Sequence, residues 1–107
     1  RHPAMDVNAS DKDGFTALMT SARYENSVIV SELLKHPYID VNIRNRYGMT
    51  ALMIMACFEN QRNVERILNH PSAVISTKDH NGRTAHSHAN LWGNIETGKI
   101  IKSFEIN

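Results

Sequence analysis

The chain has 107 residues, of which 12 are basic, 11 are acidic and one is cysteine. Its formal net charge of +1 gives no general argument for a nucleic acid or an anionic membrane as partner. No apolar run approaches the ~20 residues that a membrane span requires, and one cysteine cannot form an internal disulfide. We therefore expect a soluble protein inside the cell, in the cytoplasm or the nucleus, with neither a membrane nor a nucleic acid as its target.

A repeat with a period of 34 organises the sequence. Gly14, Gly48 and Gly82 recur at this interval, and so do three His-Pro pairs, beginning with His2-Pro3. Since the chain opens in the tail of a repeat, we expect it to belong to a longer parent protein. We divide it into four segments: the tail of a preceding repeat (1–10), a first repeat (11–44), a second repeat (45–78) and a degenerate C-terminal capping repeat (79–107).

The first complete repeat predicts two short helices. Thr16 follows a turn of Asp and Gly residues and is placed to cap a helix at about residues 17–24. Residues 26–27, Asn and Ser, end that helix, and a second one follows at about residues 28–35. Pro37 stops it, because proline disfavours helical geometry in the residue before it. The second helix has one apolar face, which is formed by Ile29, Val30, Leu33 and Leu34.

The second repeat has the same order of elements, and the third departs from it. Helices are predicted at about residues 51–58 and 61–69, with a buried face formed by Val64, Ile67 and Leu68. The third repeat keeps the glycine turn and a capping Thr84. Three apolar positions of the earlier repeats are occupied there by His86, Gly98 and Lys102. Terminal repeats are expected to differ in this way, because one of their faces meets water.

A turn that ends in Gly, then Thr-Ala-Leu, two short helices and a loop that reads Asp-Val-Asn resembles the ankyrin repeat. The matching residues are Asp11, Gly14, Thr16, Leu18, Ala22, Val30, Leu33 and Leu34 in the first repeat and Gly48, Thr50, Leu52, Ala56, Val64, Ile67 and Leu68 in the second. The resemblance covers about residues 6–104. It implies a mostly α solenoid of stacked helix-turn-helix units with β-turn or hairpin-like loops.

Two departures from the family pattern concern the first and second helices of each repeat. Met19 and Met53 stand where the family usually has His, so we expect the hydrogen bond from that His to the loop to be absent, with apolar packing in its place. The family's Gly at the end of the second helix is replaced by His-Pro, and the helix stop then comes from proline.

By resemblance, the loop tips and the exposed face of the first helices form a concave surface that binds another protein. Tyr24, Phe58 and Trp92 stand at the ends of the predicted first helices in one register. Tyr and Trp are frequent anchors of binding hot spots, and a spaced file of three aromatic residues suits an extended or helical peptide. The other interpretation, which stays open, is that the three rings only pack between neighbouring helix ends.

The predicted turn tips carry more basic than acidic residues, with Asp13 as the main exception. Together with the three aromatic residues, we expect these side chains to contact the partner: Lys12, Phe15, Arg23, Arg44, Arg46, Tyr47, Met49, His80 and Arg83. This composition favours a partner segment in which acidic residues flank apolar anchors. Basic residues beside aromatic ones also occur on nucleic-acid surfaces, but the nearly neutral chain argues against that alternative.

The sequence predicts no enzyme, cofactor or metal site. His86 and His88 are two positions apart, so on a helix their rings point about 200° apart and cannot easily bind one ion. Cys57 has no Cys-His motif around it, which disfavours a nucleophile. Paired carboxylates, phosphate-binding glycine loops and zinc-ligand spacings are not found in the sequence.

One modification is implied by the resemblance alone. Ankyrin repeats with Leu, five residues and then Asp-Val-Asn are substrates of an asparaginyl hydroxylase in animals. Leu34 followed by the sequence Asp40-Val41-Asn42 matches that spacing, so hydroxylation of Asn42 is expected if the parent protein is made in such a cell.

A second function class also stays open. The array can serve as a structural spacer or as an oligomerisation surface for a parent enzyme or effector. Weak self-association through the C-terminal repeat is the specific form of this alternative, because His86 and Gly98 are expected to leave apolar surface uncovered there.

Overall fold

The computed structural model describes residues 6–24 and 26–105. In this part the chain forms six helices, which follow one another as three pairs: α1 (Ala17–Arg23), α2 (Ser27–Lys35), α3 (Ala51–Cys57), α4 (Gln61–Leu68), α5 (Ala85–Leu91) and α6 (Ile95–Glu105). The molecule is elongated, with extents of 47 × 25 × 24 Å. This confirms the predicted mostly α solenoid. The predicted tail at residues 1–10 lies partly outside the described residues, including His2-Pro3, and so do residues 106–107 of the predicted cap.

Threonine caps the first helix of each pair. The Oγ1 atoms of Thr16, Thr50 and Thr84 accept hydrogen bonds from the amides three residues later, at 3.3, 3.4 and 3.2 Å. These bonds satisfy one of the open amides at each helix start. The preceding glycine takes a positive φ, 78° at Gly48, where an added Cβ would approach the His80 amide nitrogen to 2.9 Å. A side chain at this position is therefore excluded both by backbone conformation and by space.

The second helices begin and end at recognisable signals. Asn26 was expected to end the first helix together with Ser27, but Ser27 is already the first residue of α2, and Asn26 caps it by accepting from the Ile29 amide at 3.1 Å. The helix α2 ends at Lys35, as predicted. His36, the residue before Pro37, has an extended backbone with ψ of 131°. Proline therefore ends the helix as expected.

The core lies between two layers of helices. The first helices contact one another in the order α1, α3, α5, and the second helices contact one another in the order α2, α4, α6. The second repeat is the most completely buried, because it has a neighbour on both sides. Met19 and Met53, at the position of the family's usual His, are each 1% exposed and pack in the core, as predicted.

The predicted burial is wrong at one position of the apolar faces. Ile29 was expected to be buried with Val30, Leu33 and Leu34, but it is 46% exposed. Its equivalent in the second repeat, Asn63, is fully buried against the first repeat. Among the described residues, no helix pair precedes the first repeat, so the side of α2 that carries Ile29 has nothing to pack against.

The polar substitutions of the third repeat lie at its outer end. His86 is half-buried and Lys102 is exposed, although the leucines at the same positions of the second repeat are buried. Gly98 is buried, and an added Cβ would come within 2.8 Å of the Asn90 side chain. The glycine therefore allows α6 to approach α5 closely.

Candidate functional site

The loop tips are held in fixed shapes by one side chain each. Asp11, Asn45 and Asp79 occupy the same register, and the Oδ1 atom of each accepts hydrogen bonds from the amides two and four residues later, at 2.9 to 3.1 Å. Such turns within a loop restrict its backbone without any help from neighbouring loops. The residues at the tips are therefore presented in nearly the same geometry from repeat to repeat.

Backbone bonds also join each loop tip to the next. The Arg46 amide donates to the Asp13 carbonyl at 3.0 Å, and the His80 amide donates to the Tyr47 carbonyl at 3.2 Å. The Arg44 side chain adds a further link, because its guanidinium donates to the carbonyls of Gly48 and Lys78 at 3.2 and 3.1 Å. The three loop tips consequently form one continuous edge of the array.

An apolar cavity of about 330 Å³ lies beside the first two loop tips. It brings together six of the residues predicted to contact a partner: Phe15, Arg23, Tyr47, Met49, Phe58 and Trp92. The other six predicted residues do not line it: Lys12, Tyr24, Arg44, Arg46, His80 and Arg83. The cavity is thus built from tips of the first two loops and from the ends of first helices.

The three aromatic residues at the helix ends are the C-caps of α1, α3 and α5. Tyr24 is 70% exposed, Phe58 47% and Trp92 63%. Tyr47, on the second loop tip, is also exposed. All three residues keep exposed apolar surface, while Phe58 is also more than half covered. Whether these rings bind a partner or only pack between helix ends stays a prediction.

Two residues of the cavity were missed from the sequence. Ile54 lies one helical turn before Phe58, and its near-complete burial places it at the cavity floor. Cys57 is half-buried, and burial raises the pKa of its thiol to about 11, while a hydrogen bond with Trp92 acts in the opposite direction. At neutral pH the thiol is therefore protonated and is a poor nucleophile. The i, i+4 spacing from Phe58 to Ile54 was the signal for the first of these positions.

The basic groups at the loop tips differ in how they are engaged. Arg46 forms an ion pair with Asp13, with 2.7 Å between Nη1 and Oδ1, and its hydrogen bond with Asp13 raises the pKa of the guanidinium above its ordinary value. Arg23 lies over the Tyr24 ring, with 5.7 Å from Cζ to the ring centroid, and forms no ion pair among the described residues. Arg23 therefore differs from Arg46 in that no acidic side chain of the described residues neutralises it.

A buried pair in the third repeat was also missed. His88 Nε2 lies 2.7 Å from Asp79 Oδ2, and the two side chains are only 8% and 5% exposed. Burial alone raises the pKa of Asp79, but hydrogen bonds from the Arg83 amide, His88 and the Asn81 amide together hold it below its ordinary value. A bond from a histidine to the loop therefore exists in this repeat, although from a position one residue after the one where the family usually has His.

Two asparagines join neighbouring loops. The Asn42 side chain donates to the Ser72 carbonyl at 2.7 Å and accepts from the Val74 amide at 2.8 Å. Asn8 makes the equivalent bonds with the Tyr38 carbonyl and the Asp40 amide, each at 2.8 Å. Asn42 is thus a structural link between two loops, and its hydroxylation stays a prediction.

The outer end of the third repeat carries a second open cavity, of about 590 Å³. Apolar and polar side chains mix in its lining: Ala73, Ile75, Ser76, Lys78, Thr84, His86, Lys102, Phe104 and Glu105. Within the described residues, no group of three or more His, Cys, Asp or Glu side chains is placed to hold a metal ion. Over the same residues, no helix has both the length and the apolar character needed to cross a bilayer.

The comparisons with known proteins agree with the stacked helix pairs. A family model described as ankyrin repeats (3 copies) matches residues 2–79, which is more than half of the chain. No curated protein matches the chain. The family match ends where the third helix pair is about to begin, the part in which the sequence departs most from the repeat pattern. The chain belongs to the ankyrin repeat family.

Proposed function

We propose that this chain is a protein-binding module of a larger protein, and that the partner binds on the concave surface over the apolar cavity. Ankyrin repeats are in general protein-protein interaction modules, and they are typically not catalytic. The observation that carries the proposal is the open cavity of about 330 Å³, whose wall includes the exposed rings of Tyr47, Phe58 and Trp92.

The lining of the cavity supports an apolar anchor on the partner. Phe15, Met49 and Ile54 supply apolar surface between the aromatic rings. Full burial of a leucine or phenylalanine side chain contributes roughly 1.5–3 kcal/mol, which is about one to two orders of magnitude in affinity. Tyr and Trp lose little conformational freedom when they are covered, so most of this contribution is retained.

The cavity wall also supports an acidic residue beside that anchor. Arg23 lies in the wall next to the first repeat and has no acidic partner among the described residues. Arg46 is already neutralised by Asp13. We therefore expect an acidic residue of the partner to lie towards Arg23.

Trp92 is the only tryptophan of the chain and lines the cavity, so its fluorescence reports occupancy. A displayed library of random peptides can be selected against the immobilised chain and the selected peptides titrated in solution. We expect peptides with a bulky apolar residue and nearby acidic residues, and binding that shifts the Trp92 emission. Phe58→Ala should weaken binding by about tenfold or more, since a hot-spot aromatic contributes at least about 1.4 kcal/mol.

Tyr38→Ala is the matched control for this experiment. Tyr38 is an exposed aromatic residue that does not line the cavity, and its ring contacts that of His36. Its truncation removes a similar area from the surface and should leave peptide affinity unchanged. Selected peptides that bind Phe58→Ala as tightly as the unmodified chain, with no change in Trp92 emission, would place the binding surface elsewhere.

A structural spacer or an oligomerisation surface for a parent enzyme or effector is the second candidate function. The observation in its favour is the cavity at the outer end of the third repeat, where half-buried Ile75 and Phe104 lie beside Lys102 and His86. Self-association through this end would cover that apolar surface. It requires two lysines, Lys78 and Lys102, to be brought into the contact as well, which disfavours a tight dimer.

A further inference from the structure

Three large apolar side chains are exposed in the turn that joins α5 to α6. Leu91 is the last residue of α5, Trp92 is its C-cap and Ile95 is the first residue of α6. Leu91 is 56% exposed, Trp92 63% and Ile95 52%. We call these three residues the turn patch. Single exposed apolar residues are common on protein surfaces, but a group of them in one place marks a site of interaction.

The fold does not require apolar residues at two of these positions. Arg23 ends α1 as Leu91 ends α5, and Gln61 begins α4 as Ile95 begins α6. Arg23 and Gln61 are exposed as well, so a stacked repeat accepts charged or polar side chains there. The third repeat has no general increase in apolar character, since His86 replaces a leucine of the repeat pattern. The apolar turn therefore calls for an explanation other than stacking.

Hydrogen bonds fix the turn patch beside the apolar cavity. Asn94 Nδ2, in the same turn, donates to the carbonyls of Ala56 at 2.7 Å and Cys57 at 3.3 Å. The backbone amides of Trp92 and Asn94 donate to carbonyls of α5, at 3.2 and 2.7 Å. The turn is thus attached to the end of α3, whose last residue, Cys57, lines the cavity. A surface that is already held in place loses little freedom when a ligand covers it.

Trp92 joins the turn patch to the cavity. Its side chain belongs to the patch and also lines the cavity, whereas Leu91 and Ile95 do not line it. Three extended residues span at most about 11 Å, so the Cα atoms of Leu91 and Ile95 both lie within this distance of Trp92. The cavity wall and the patch are therefore within reach of one short peptide.

The charges beside the turn patch offset one another. Glu96 follows Ile95 in α6, and its Oε2 atom lies 3.7 Å from Lys99 Nζ. Both side chains are exposed, so the pair contributes little to stability, but it leaves the start of α6 without a net charge. The patch therefore suits a neutral apolar side chain.

We propose that the turn patch binds a second apolar side chain of the same partner peptide whose first apolar anchor fills the cavity. This inference rests on the proposed function. The Trp92 ring contacts both anchors, and Leu91 and Ile95 contact only the second one. The partner is then a short segment with two bulky apolar residues a few positions apart. Continuity through Trp92 favours this occupant over a second copy of the chain or a bilayer, since covering the patch alone leaves the cavity open.

The test uses peptides selected against the immobilised, unmodified chain, with their affinities measured by calorimetric titration. The variant is Leu91→Gln combined with Ile95→Gln, because glutamine is a good helix former and adds no charge. We expect its affinity for the selected peptides to fall about fivefold or more, since apolar burial is lost at the second anchor. Its urea unfolding should be nearly unchanged, because both side chains are exposed.

Val28→Gln is the matched control. Val28 is 74% exposed near the start of α2 and does not line the cavity, so its substitution should leave affinity unchanged. A peptide whose second apolar residue is replaced by alanine gives the contact its own readout. It should bind the unmodified chain as weakly as the original peptide binds the double variant, and the two changes together should cost little more than either alone.

The outcomes separate this inference from the proposed function. Full affinity of the double variant, with binding weakened by Phe58→Ala, overturns the inference and leaves the proposed function standing. If Phe58→Ala has no effect either, both fail. Selection of peptides with a single bulky apolar residue also overturns the inference. So does self-association or binding to phosphatidylcholine vesicles that the double variant abolishes, because it assigns the turn patch to a second copy or to a bilayer.

Discussion

At the scale of single residues, one buried pair distinguishes the third repeat. His88 Nε2 lies 2.7 Å from Asp79 Oδ2, while the other oxygen of Asp79 accepts two loop amides, as Asp11 and Asn45 do in the earlier repeats. The pair therefore attaches the third loop to α5 in a repeat whose apolar core is reduced at one of its leucine positions by His86.

Asp79 should make the stability of the chain depend on pH at the acidic end. Its pKa is lower in the folded chain than the ordinary value, so the carboxylate contributes stability that is fully present above the unfolded pKa of about 4. That contribution is lost as the pH falls through the lower pKa of the folded chain. Urea unfolding over a pH series measures it. Asp79→Asn, which introduces the residue type of Asn45, should flatten this dependence, and equal pH profiles would contradict the assignment.

Asn42 carries both a structural and a modification prediction. Asn42→Ala removes the bonds to the Ser72 carbonyl and the Val74 amide, and we expect a loss of about 1–3 kcal/mol in the free energy of unfolding, measured with urea. Mass spectrometry of native protein tests the hydroxylation that the family resemblance implies. Unmodified Asn42 in a cell with an active hydroxylase would dispose of that hypothesis.

At the scale of the elements, each helix pair depends on local signals at its ends. Thr50 is the most buried of the three capping threonines, and it starts the helix with the most buried residues, α3. Thr50→Ala should cost about 1–2 kcal/mol of stability, because an amide at the helix start loses its acceptor in a site closed to water. Thr50→Ser should retain most of it. Chemical unfolding of both variants decides this, and a loss of equal size in the two would point to packing of the methyl group instead.

These local signals explain why the elements were predictable. The Gly-x-Thr sequence determines where each first helix begins, and Pro37 determines where α2 ends, so neither depends on the rest of the fold. The exposure of Ile29 was not predictable in the same way. It depends on whether a helix pair lies in front of α2, and the period of the sequence contains no information about that.

The candidate site was predictable only in part. The family resemblance indicated the concave side, and six predicted residues line its cavity. Ile54 and Cys57 line the cavity but were not predicted as site residues, because small and aliphatic side chains on a short helix usually belong to the core. The bonds of Arg44 to two carbonyls and the ion pair of Arg46 with Asp13 depend on distances between loops that sequence spacing does not specify.

At the scale of the whole molecule, the array has two unlike ends. The C-terminal end of the array carries Ser76, His86 and Lys102 at the positions that Asn42, Leu52 and Leu68 occupy one period earlier. The other end keeps Ile29 and Leu33, one period before the buried Asn63 and Ile67. Two copies should therefore stack end to end only weakly, because a stacking contact requires an apolar face on both partners.

Reversing the three polar changes should remove the asymmetry. The triple variant Ser76→Asn, His86→Leu and Lys102→Leu gives the C-terminal end of the array the residues of an interior repeat, so that it can stack on the first repeat of another copy. We expect concentration-dependent association of this variant by light scattering or sedimentation, and a monomeric unmodified chain. Association of the unmodified chain through its C-terminal repeat would instead support the oligomerisation alternative.

The central claim is that the exposed aromatic residues of the concave surface bind a partner and do not merely hold the stack together. The most direct measurement compares Phe58→Ala and the unmodified chain in two assays, peptide affinity by titration and the free energy of unfolding in urea. Because the Phe58 ring is 47% exposed and lines the cavity, we predict that affinity falls about tenfold or more while stability changes by less than about 1 kcal/mol. A large loss of stability with unchanged affinity would contradict the account and make the ring a packing residue.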